Sequence, residues 1–345
     1  MHKLVINMAD KRPIWAMPPW AEAEIRGALP ASWQVTALRA PVSGEGDGGG
    51  VTGEALEAVR GAEVYMGMGV PREIFLAATT GPEARLRWAH TGSAGVGAAL
   101  YPEMLASSVV LTNSAGTMGP PIAETVIGMA LYFARGFDLA LEGVPGRRWP
   151  KDAIYEPTSP VRELGGATMG IVGFGGVGRE VGARARALGM RVLATKRTPA
   201  PAPEGVELLF GDPGLYRLLA ESDVVVLTVP GTAETRARLG REELAAMKPG
   251  AVLINVARGS IVDEPALIEA LRGGRLRGAG LDVFAKEPLP ADSPLWAMPN
   301  VLITPHVSAV SPLYWRREVE LIVENLRRYL ADRPLLNVVD KARGY

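Results

Sequence analysis

The sequence predicts a two-domain α/β protein whose second domain is a doubly wound parallel sheet. Three observations lead there. The chain has 345 residues, too many for one ordinary core of roughly 100–200 residues, and 48% hydrophobic content is enough to fill two. Short apolar runs recur along it in two successive series, alternating with stretches of helical character. A glycine loop sits between one such run and the helical stretch after it.

The first series places strands at 3–7, 63–66, 86–90 and 109–112, with helices between them. The segment 43–50, SGEGDGGG, is rich in glycine and charge and reads as a flexible surface loop. Residues 120–135, PPIAETVIGMALYFAR, form a long apolar helix that joins the two domains, with prolines at its start, where a missing N–H costs nothing. The second series, at 168–172, 191–195, 224–229, 252–256, 279–283 and 301–304, is β-rich and nearly all apolar, as parallel strands covered on both faces must be. Helices at 177–188 and 264–272 make it a repeated βαβ unit. The amphipathic stretch 314–330 is a helix that follows the last strand and returns the chain to the first domain.

The totals exclude several classes of function. With 37 basic and 37 acidic side chains the formal charge is zero, so no global field draws the protein onto nucleic acid or an anionic membrane. The chain has no cysteine and three histidines; this removes disulfides and thiolate chemistry and leaves little for a metal site, so none is expected. The apolar start is broken by Asp10, Lys11, Arg12 and Pro13, unlike a signal peptide, and no later run approaches the roughly 20 apolar residues of a membrane span. A cytoplasmic protein acting on a small molecule is the expectation, and redox chemistry in it would need a bound cofactor.

The glycine loop supplies a place for one. In TMGIVGFGGVG, Gly173, Gly175 and Gly178 have G-x-G-x-x-G spacing directly after a strand and at the opening of a helix. The first glycine permits a tight turn, the second lets a pyrophosphate approach the backbone, and the third lets helix pack on strand. Free N–H groups at the helix start, those of Gly176, Val177 and Gly178, hold the phosphate charge. In a chain with 41 glycines the pattern alone is weak; the strand and helix around it give it meaning. The second strand of this unit ends in Lys196 and Arg197, where an NAD site carries a carboxylate for the ribose 2′-hydroxyl. Two cations suit the 2′-phosphate of NADP better, so NADP is the preferred cofactor and NAD the other possibility.

Three segments, VLINVARGSIVDEPAL, GLDVFAKEPLP and NVLITPHVSA, each place polar residues just past the carboxyl end of an apolar strand, the edge where doubly wound sheets bind ligands. With LTNSAGTMGPPIAETVIGMAL, the glycine loop and VPGTAETRARLG they form a collinear series from Thr91 to the C-terminus. In that series the sequence resembles the D-isomer-specific 2-hydroxyacid dehydrogenases. The resemblance implies Arg258 as the substrate-binding arginine, Glu287 as the carboxylate and His306 as the acid/base. It adds Val229, Pro230 and Ala257 as cofactor contacts, with Asp282 near the nicotinamide carboxamide. The turn TGSAGVG at 91–97, whose small residues expose backbone N–H groups, corresponds to the turn that holds the substrate carboxylate in that family, at Ala94 and Gly95.

The residue types support these roles independently. Arginine offers a planar pair of donors to a carboxylate. Histidine exchanges a proton near neutrality, and a glutamate on its other ring nitrogen orients it. The implied architecture is a Rossmann coenzyme domain, 119–307, inserted in a flavodoxin-like α/β substrate domain, 1–118 plus 308–345. The implied assembly is a homodimer joined through the helix at 120–136. The implied reaction moves hydride between NAD(P)H and a small 2-oxo acid, glyoxylate or hydroxypyruvate first, giving a D-2-hydroxy acid.

The sequence also departs from the pattern. Gly176 stands where the family often has a larger polar residue, Lys196 where NAD-preferring members carry aspartate, and the first roughly 85 residues match no family motif. Rival readings are a noncatalytic dinucleotide-binding sensor or corepressor of the same fold, a methyltransferase, and a formate- or phosphite-type dehydrogenase. Arg258, Glu287 and His306 together argue against the first, and Lys196, Arg197 and the TPH segment against the second.

Overall fold

The structure is a computed structural model that describes residues 2–41 and 50–345. The loop expected at 43–50 therefore lies, but for Gly50, outside the described residues. The chain divides into two compact units, Met1–Met118 with Val310–Tyr345, and Gly119–Ala309.

The first unit is a five-stranded parallel sheet of β1 (His2–Asn7), β2 (Trp33–Ala37), β3 (Val64–Gly67), β4 (Trp88–Thr91) and β5 (Val110–Asn113), in the order β2-β1-β3-β4-β5. This is the flavodoxin-like order. Side chains alternate across the sheet. Val5, Tyr65, Ala89 and Leu111 pack on one face with the helices Gly53–Val59 and Arg72–Thr79, and Leu4, Ile6, Val64, Met66 and Trp88 pack on the other. The second face is closed by the helix Pro19–Gly27 and by Tyr314–Leu330, whose Trp315, Val319, Ile322 and Leu326 recur at helical spacing and are buried.

The second unit is a seven-stranded parallel sheet: β6 (Thr168–Val172), β7 (Arg191–Thr195), β8 (Val206–Leu209), β9 (Val224–Leu227), β10 (Val252–Asn255), β11 (Gly278–Leu281) and β12 (Val301–Ile303). Its order is β12-β11-β10-β9-β6-β7-β8, so the direction of winding reverses between β6 and β9. That reversal is the switch point at which such sheets open a ligand crevice outside their carboxyl ends. The helix Gly119–Ala134 buries Val126, Met129 and Phe133 on this sheet, with the Phe133 ring lying over Gly278. No helix of the described residues is long and apolar enough to cross a membrane.

Two strands, β2 and β8, are absent from the sequence expectation, and both lie at sheet edges. An edge strand is covered less completely, so its side chains need not all be apolar; WQVTA and VELL are accordingly only partly buried. Expected strands in the second unit overran the observed carboxyl ends at 228–229, 256, 282–283 and 304, because the apolar run continues into buried loops that carry the functional residues. Ser308, expected in the substrate domain, is hydrogen-bonded into the second unit through Asp282.

Phe133→Ala should cost about 3–5 kcal/mol, and amide-exchange protection should fall in the second unit's sheet while β1–β5 keep theirs.

Candidate active site

At the carboxyl end of β6 the chain turns at Gly173, whose φ of +103° favours glycine. Thr228, just past β9, ties down this turn by donating its hydroxyl to the Gly173 carbonyl at 2.6 Å. A Cβ on Gly178 would strike the same carbonyl, whereas one on Gly175 would meet nothing within 4 Å. The loop is thus closed toward the sheet and open at Gly175, on the exposed stretch Gly175–Gly176. The N–H groups of Gly176, Val177 and Gly178, at the start of the 12-residue helix Gly176–Ala187, donate to no acceptor among the described residues. Aligned amides beside an open surface suit a pyrophosphate, so these residues fit the dinucleotide the sequence implies.

Around this loop, Val229 packs against Gly173 and Pro230 is exposed beside it. Lys196 follows β7 half-buried, and Arg197 is exposed and paired with Glu234 at 2.9 Å. An ion pair this open to solvent is worth about 0–1 kcal/mol, little against a doubly charged phosphate.

Past β10, Asn255 shapes the segment that carries Arg258. Its buried side chain accepts from the Ala257 N–H at 3.1 Å and donates to the Arg258 carbonyl at 3.0 Å. Ala257 is buried and Arg258 half-buried, with its Nη1 donating to the Ala257 carbonyl at 2.8 Å. Next comes Gly259, where any Cβ would overlap the Phe284 carbonyl group. The arginine segment and the segment after β11 are therefore pressed backbone to backbone.

That second segment carries Glu287. One carboxylate oxygen accepts from the Phe284 N–H at 2.9 Å, which fixes the group, and the other lies 2.7 Å from Nδ1 of His306. Since a carboxylate only accepts, Nδ1 donates and Nε2 is left for another partner. His306 follows β12 with φ +55°, uncommon for a residue with a Cβ. The conformation is held by its own N–H, which donates to the Asp282 carbonyl at 2.9 Å, and by the Asp282 carboxylate. Fully buried, that carboxylate accepts from the Thr304 hydroxyl at 2.6 Å and from the N–H groups of Val307 at 2.9 Å and Ser308 at 3.0 Å. Asp282, expected beside the nicotinamide, is engaged here in holding the histidine's loop.

Ala94 and Gly95 lie in the other unit, exposed on the turn after β4. The N–H groups of Ser93, Ala94, Gly95 and Val96 donate to no acceptor among the described residues. Backbone amides free of internal partners are what a turn offers to an anion.

Within the second unit the structure brings Glu287 and His306 into contact and sets Arg258 after the neighbouring strand β10. Asn255, Gly259, Thr228 and Thr304 were not picked out from sequence; the only signal was the place of Asn255, Gly259 and Thr304 inside the quoted segments and of Thr228 inside an expected strand.

Residues 127–308, more than half the chain, match the family model described as D-isomer specific 2-hydroxyacid dehydrogenase, NAD binding domain. The chain is 40% identical over 229 residues, 66% of its length and 70% of the relative's, to glyoxylate/hydroxypyruvate reductase B of Pectobacterium atrosepticum. It is 32% identical over 291 residues, 83% of its length and 88% of the relative's, to glycerate dehydrogenase of Methylorubrum extorquens. Among solved structures, a D-isomer specific 2-hydroxyacid dehydrogenase from Xanthobacter autotrophicus Py2 in complex with NADPH and MES aligns with a TM-score of 0.80 at 33% identity, covering 100% of this chain and 99% of that one.

Gly259→Ala leaves no position in which the Arg258 and Glu287 segments both keep their places. Turnover of a 2-oxo acid should fall about 10²-fold, the scale of an ångström of misplacement, while the dissociation constant for NADPH in a fluorescence titration changes little.

Proposed function

Because the chain belongs to the D-isomer specific 2-hydroxyacid dehydrogenase family, we propose that it reduces glyoxylate or hydroxypyruvate to the D-2-hydroxy acid with NADPH as the preferred cofactor. The observation that carries this reading is the 2.7 Å pair of Glu287 and His306, with Arg258 past the adjacent strand. Glyoxylate/hydroxypyruvate reductase B and glycerate dehydrogenase among the relatives support the substrate class. Lys196 and Arg197, with no carboxylate at the end of β7, support NADPH, as does the NADPH complex of the similar structure.

In this mechanism Arg258 uses its fork of donors to hold the 2-oxo acid and polarise its carbonyl. His306, with Nδ1 committed to Glu287, presents Nε2 to the substrate oxygen and gives it a proton; the reverse reaction returns the proton to the same nitrogen. Glu287 orients the ring. When bound, the nicotinamide supplies the hydride that reaches C2. The amides of Gly176, Val177 and Gly178, beside Gly173 and Gly175, would hold the cofactor's pyrophosphate, and Val229, Pro230, Ala257 and Asp282 would stand around the rest of the dinucleotide. The amides of Ala94 and Gly95 hold the substrate carboxylate, so the unit Met1–Met118 with Val310–Tyr345 serves as the substrate domain and Gly119–Ala309 as the coenzyme domain.

The same reading makes the enzyme a cytoplasmic homodimer. The helix expected to join the subunits turns Val126, Met129 and Phe133 into its own unit. The apolar surface lies just after it, at Phe137, Leu141, Val144, Trp149 and Tyr155, of which Trp149 is 88% exposed. Large exposed apolar side chains close together in sequence suit an interface, and we extend the dimer contact from that helix to them.

His306→Ala should lower kcat by about 10²–10⁴, with NADPH affinity unchanged. Glu287→Gln should lower it by about 10–100-fold, the worth of one charge-assisted hydrogen bond of ~1.5–3 kcal/mol. Rates followed at 340 nm with glyoxylate and hydroxypyruvate check both, and wild-type activity in the His306 variant would sink the assignment. Replacing Lys196 and Arg197 together by alanine should raise KM for NADPH about 10-fold or more and leave that for NADH alone. Equal changes for the two cofactors would remove the NADP preference.

A further inference from the structure

Directly behind the 91–97 turn lies a buried polar network that the reaction scheme does not use. His90, the third residue of β4, and Glu318, on the helix Tyr314–Leu330, are both fully buried, with Nε2 of one 2.8 Å from Oε1 of the other. Trp88 donates its indole N–H to the Thr112 hydroxyl at 2.8 Å, and Thr112 meets His90 Nδ1 at 2.9 Å. Ser114, with one hydroxyl proton to give, sits 2.8 Å from Glu318 Oε1 and 3.0 Å from the Thr91 carbonyl. Glu318 interrupts an otherwise apolar stripe of Trp315, Val319, Ile322 and Leu326. Its Oε2 is buried without a hydrogen-bond partner among the described residues.

Stability alone does not explain such a pair. A buried charge pair is often replaced by apolar residues of similar volume with no loss, and an orphan carboxylate oxygen adds a desolvation cost. The network does, however, reach the turn through Ser114 and the adjacent Tyr314. The Thr91 carbonyl faces Ser114 Oγ. The Gly92 carbonyl accepts from the Tyr314 hydroxyl at 2.7 Å, Ser93 from the Ser114 N–H at 3.2 Å, Ala94 from the Asn113 side chain at 2.8 Å, and Gly95 from the Ser93 hydroxyl at 2.7 Å. The four consecutive carbonyls from Gly92 to Gly95 are tied down, and the amides from Ser93 to Val96 are left unused.

Tyr314 lies one helical turn before Glu318, on the same face of the helix. Burial, and then the nearby Glu318 carboxyl, push its phenol well above the ordinary pKa, so it remains a donor throughout any assay range.

We propose that Tyr314 and Glu318 are positioning residues for substrate recognition: Tyr314 holds the Gly92 carbonyl and Glu318 holds Ser114, whose N–H holds that of Ser93, so that the amides of the turn are presented to the substrate carboxylate. This rests on the reading that the turn binds that carboxylate.

The experiment compares Tyr314→Phe and Glu318→Gln, both nearly isosteric, with Ala94→Pro, which deletes one amide from the turn itself. Full-length protein is assayed with glyoxylate for kcat and KM, and NADPH binding is titrated separately. The expected result is a KM for glyoxylate raised about tenfold in all three, with kcat within threefold and NADPH affinity unchanged. A merely structural role would shift kcat, KM and thermal midpoint together, and that outcome overturns the proposal. So does a raised KM in Ala94→Pro with wild-type KM in both helix variants, which leaves the turn as the binding site. Unchanged KM in all three removes the turn reading itself.

Discussion

A carboxylate shut away from water must find donors or cost several kcal/mol, and the way Asp282 finds them organises the reacting centre. It sits at the carboxyl end of β11 with no exposure, and its oxygens gather the Thr304 hydroxyl and the N–H groups of Val307 and Ser308 from the chain leaving β12. That chain must fold back over the end of the sheet to deliver them. His306 lies inside the fold-back and takes the left-handed backbone conformation it demands. An isolated histidine there would pay for the strain; here the surrounding hydrogen bonds over-determine it.

The same edge explains why Glu287 meets the histidine. Parallel strands end on one side of a sheet, so β10, β11 and β12, neighbours in the order, release their loops together. Gly259 lets the loop after β10 lie against the backbone at Phe284, and the Phe284 N–H fixes one oxygen of Glu287 while the other reaches Nδ1 of His306. Each contact needs a donor or a small residue at one position, and none requires the loops to be long. Segments held at several points by hydrogen bonds lose little conformational freedom when a ligand arrives, which is how a scaffold preorganises charge-stabilising groups.

What could be read from the sequence follows from how local the signals are. The glycine loop is legible because strand, turn and helix follow within a dozen residues, and the central strands because burial on both faces makes them apolar throughout. His306, Glu287 and Arg258 stand out as polar residues placed just past such strands. The edge strands β2 and β8 escape because partial exposure relaxes the pattern. Asn255 and Gly259 escape because an asparagine or glycine after a strand is an ordinary turn residue until its cross-chain neighbour is known. His90 and Glu318, 228 positions apart, carry no sequence signal of their pairing. By sequence, the histidine is the end of an apolar run and the glutamate one charge among many on an amphipathic helix.

Asp282 and Glu318 solve one problem in two ways. Each is a fully buried carboxylate, and on the proposed reading each stands behind a segment that handles charge. Asp282 gathers donors from the segment itself, so its two oxygens are satisfied and the histidine loop is fixed directly. Glu318 works at one remove: Oε1 engages His90 and Ser114, Ser114 faces the Thr91 carbonyl, and Oε2 is unpartnered. On the proposed reading the difference follows from what each segment must present. A loop carrying an acid/base side chain can spend its amides on an internal carboxylate, because the side chain does the chemistry. A turn that binds an anion must keep its amides, so it has to be held by its carbonyls, and carbonyls need donors. Tyr314, Ser114, Asn113 and Ser93 are those donors, and a buried carboxylate enters only behind them, as the acceptor for Ser114 and His90.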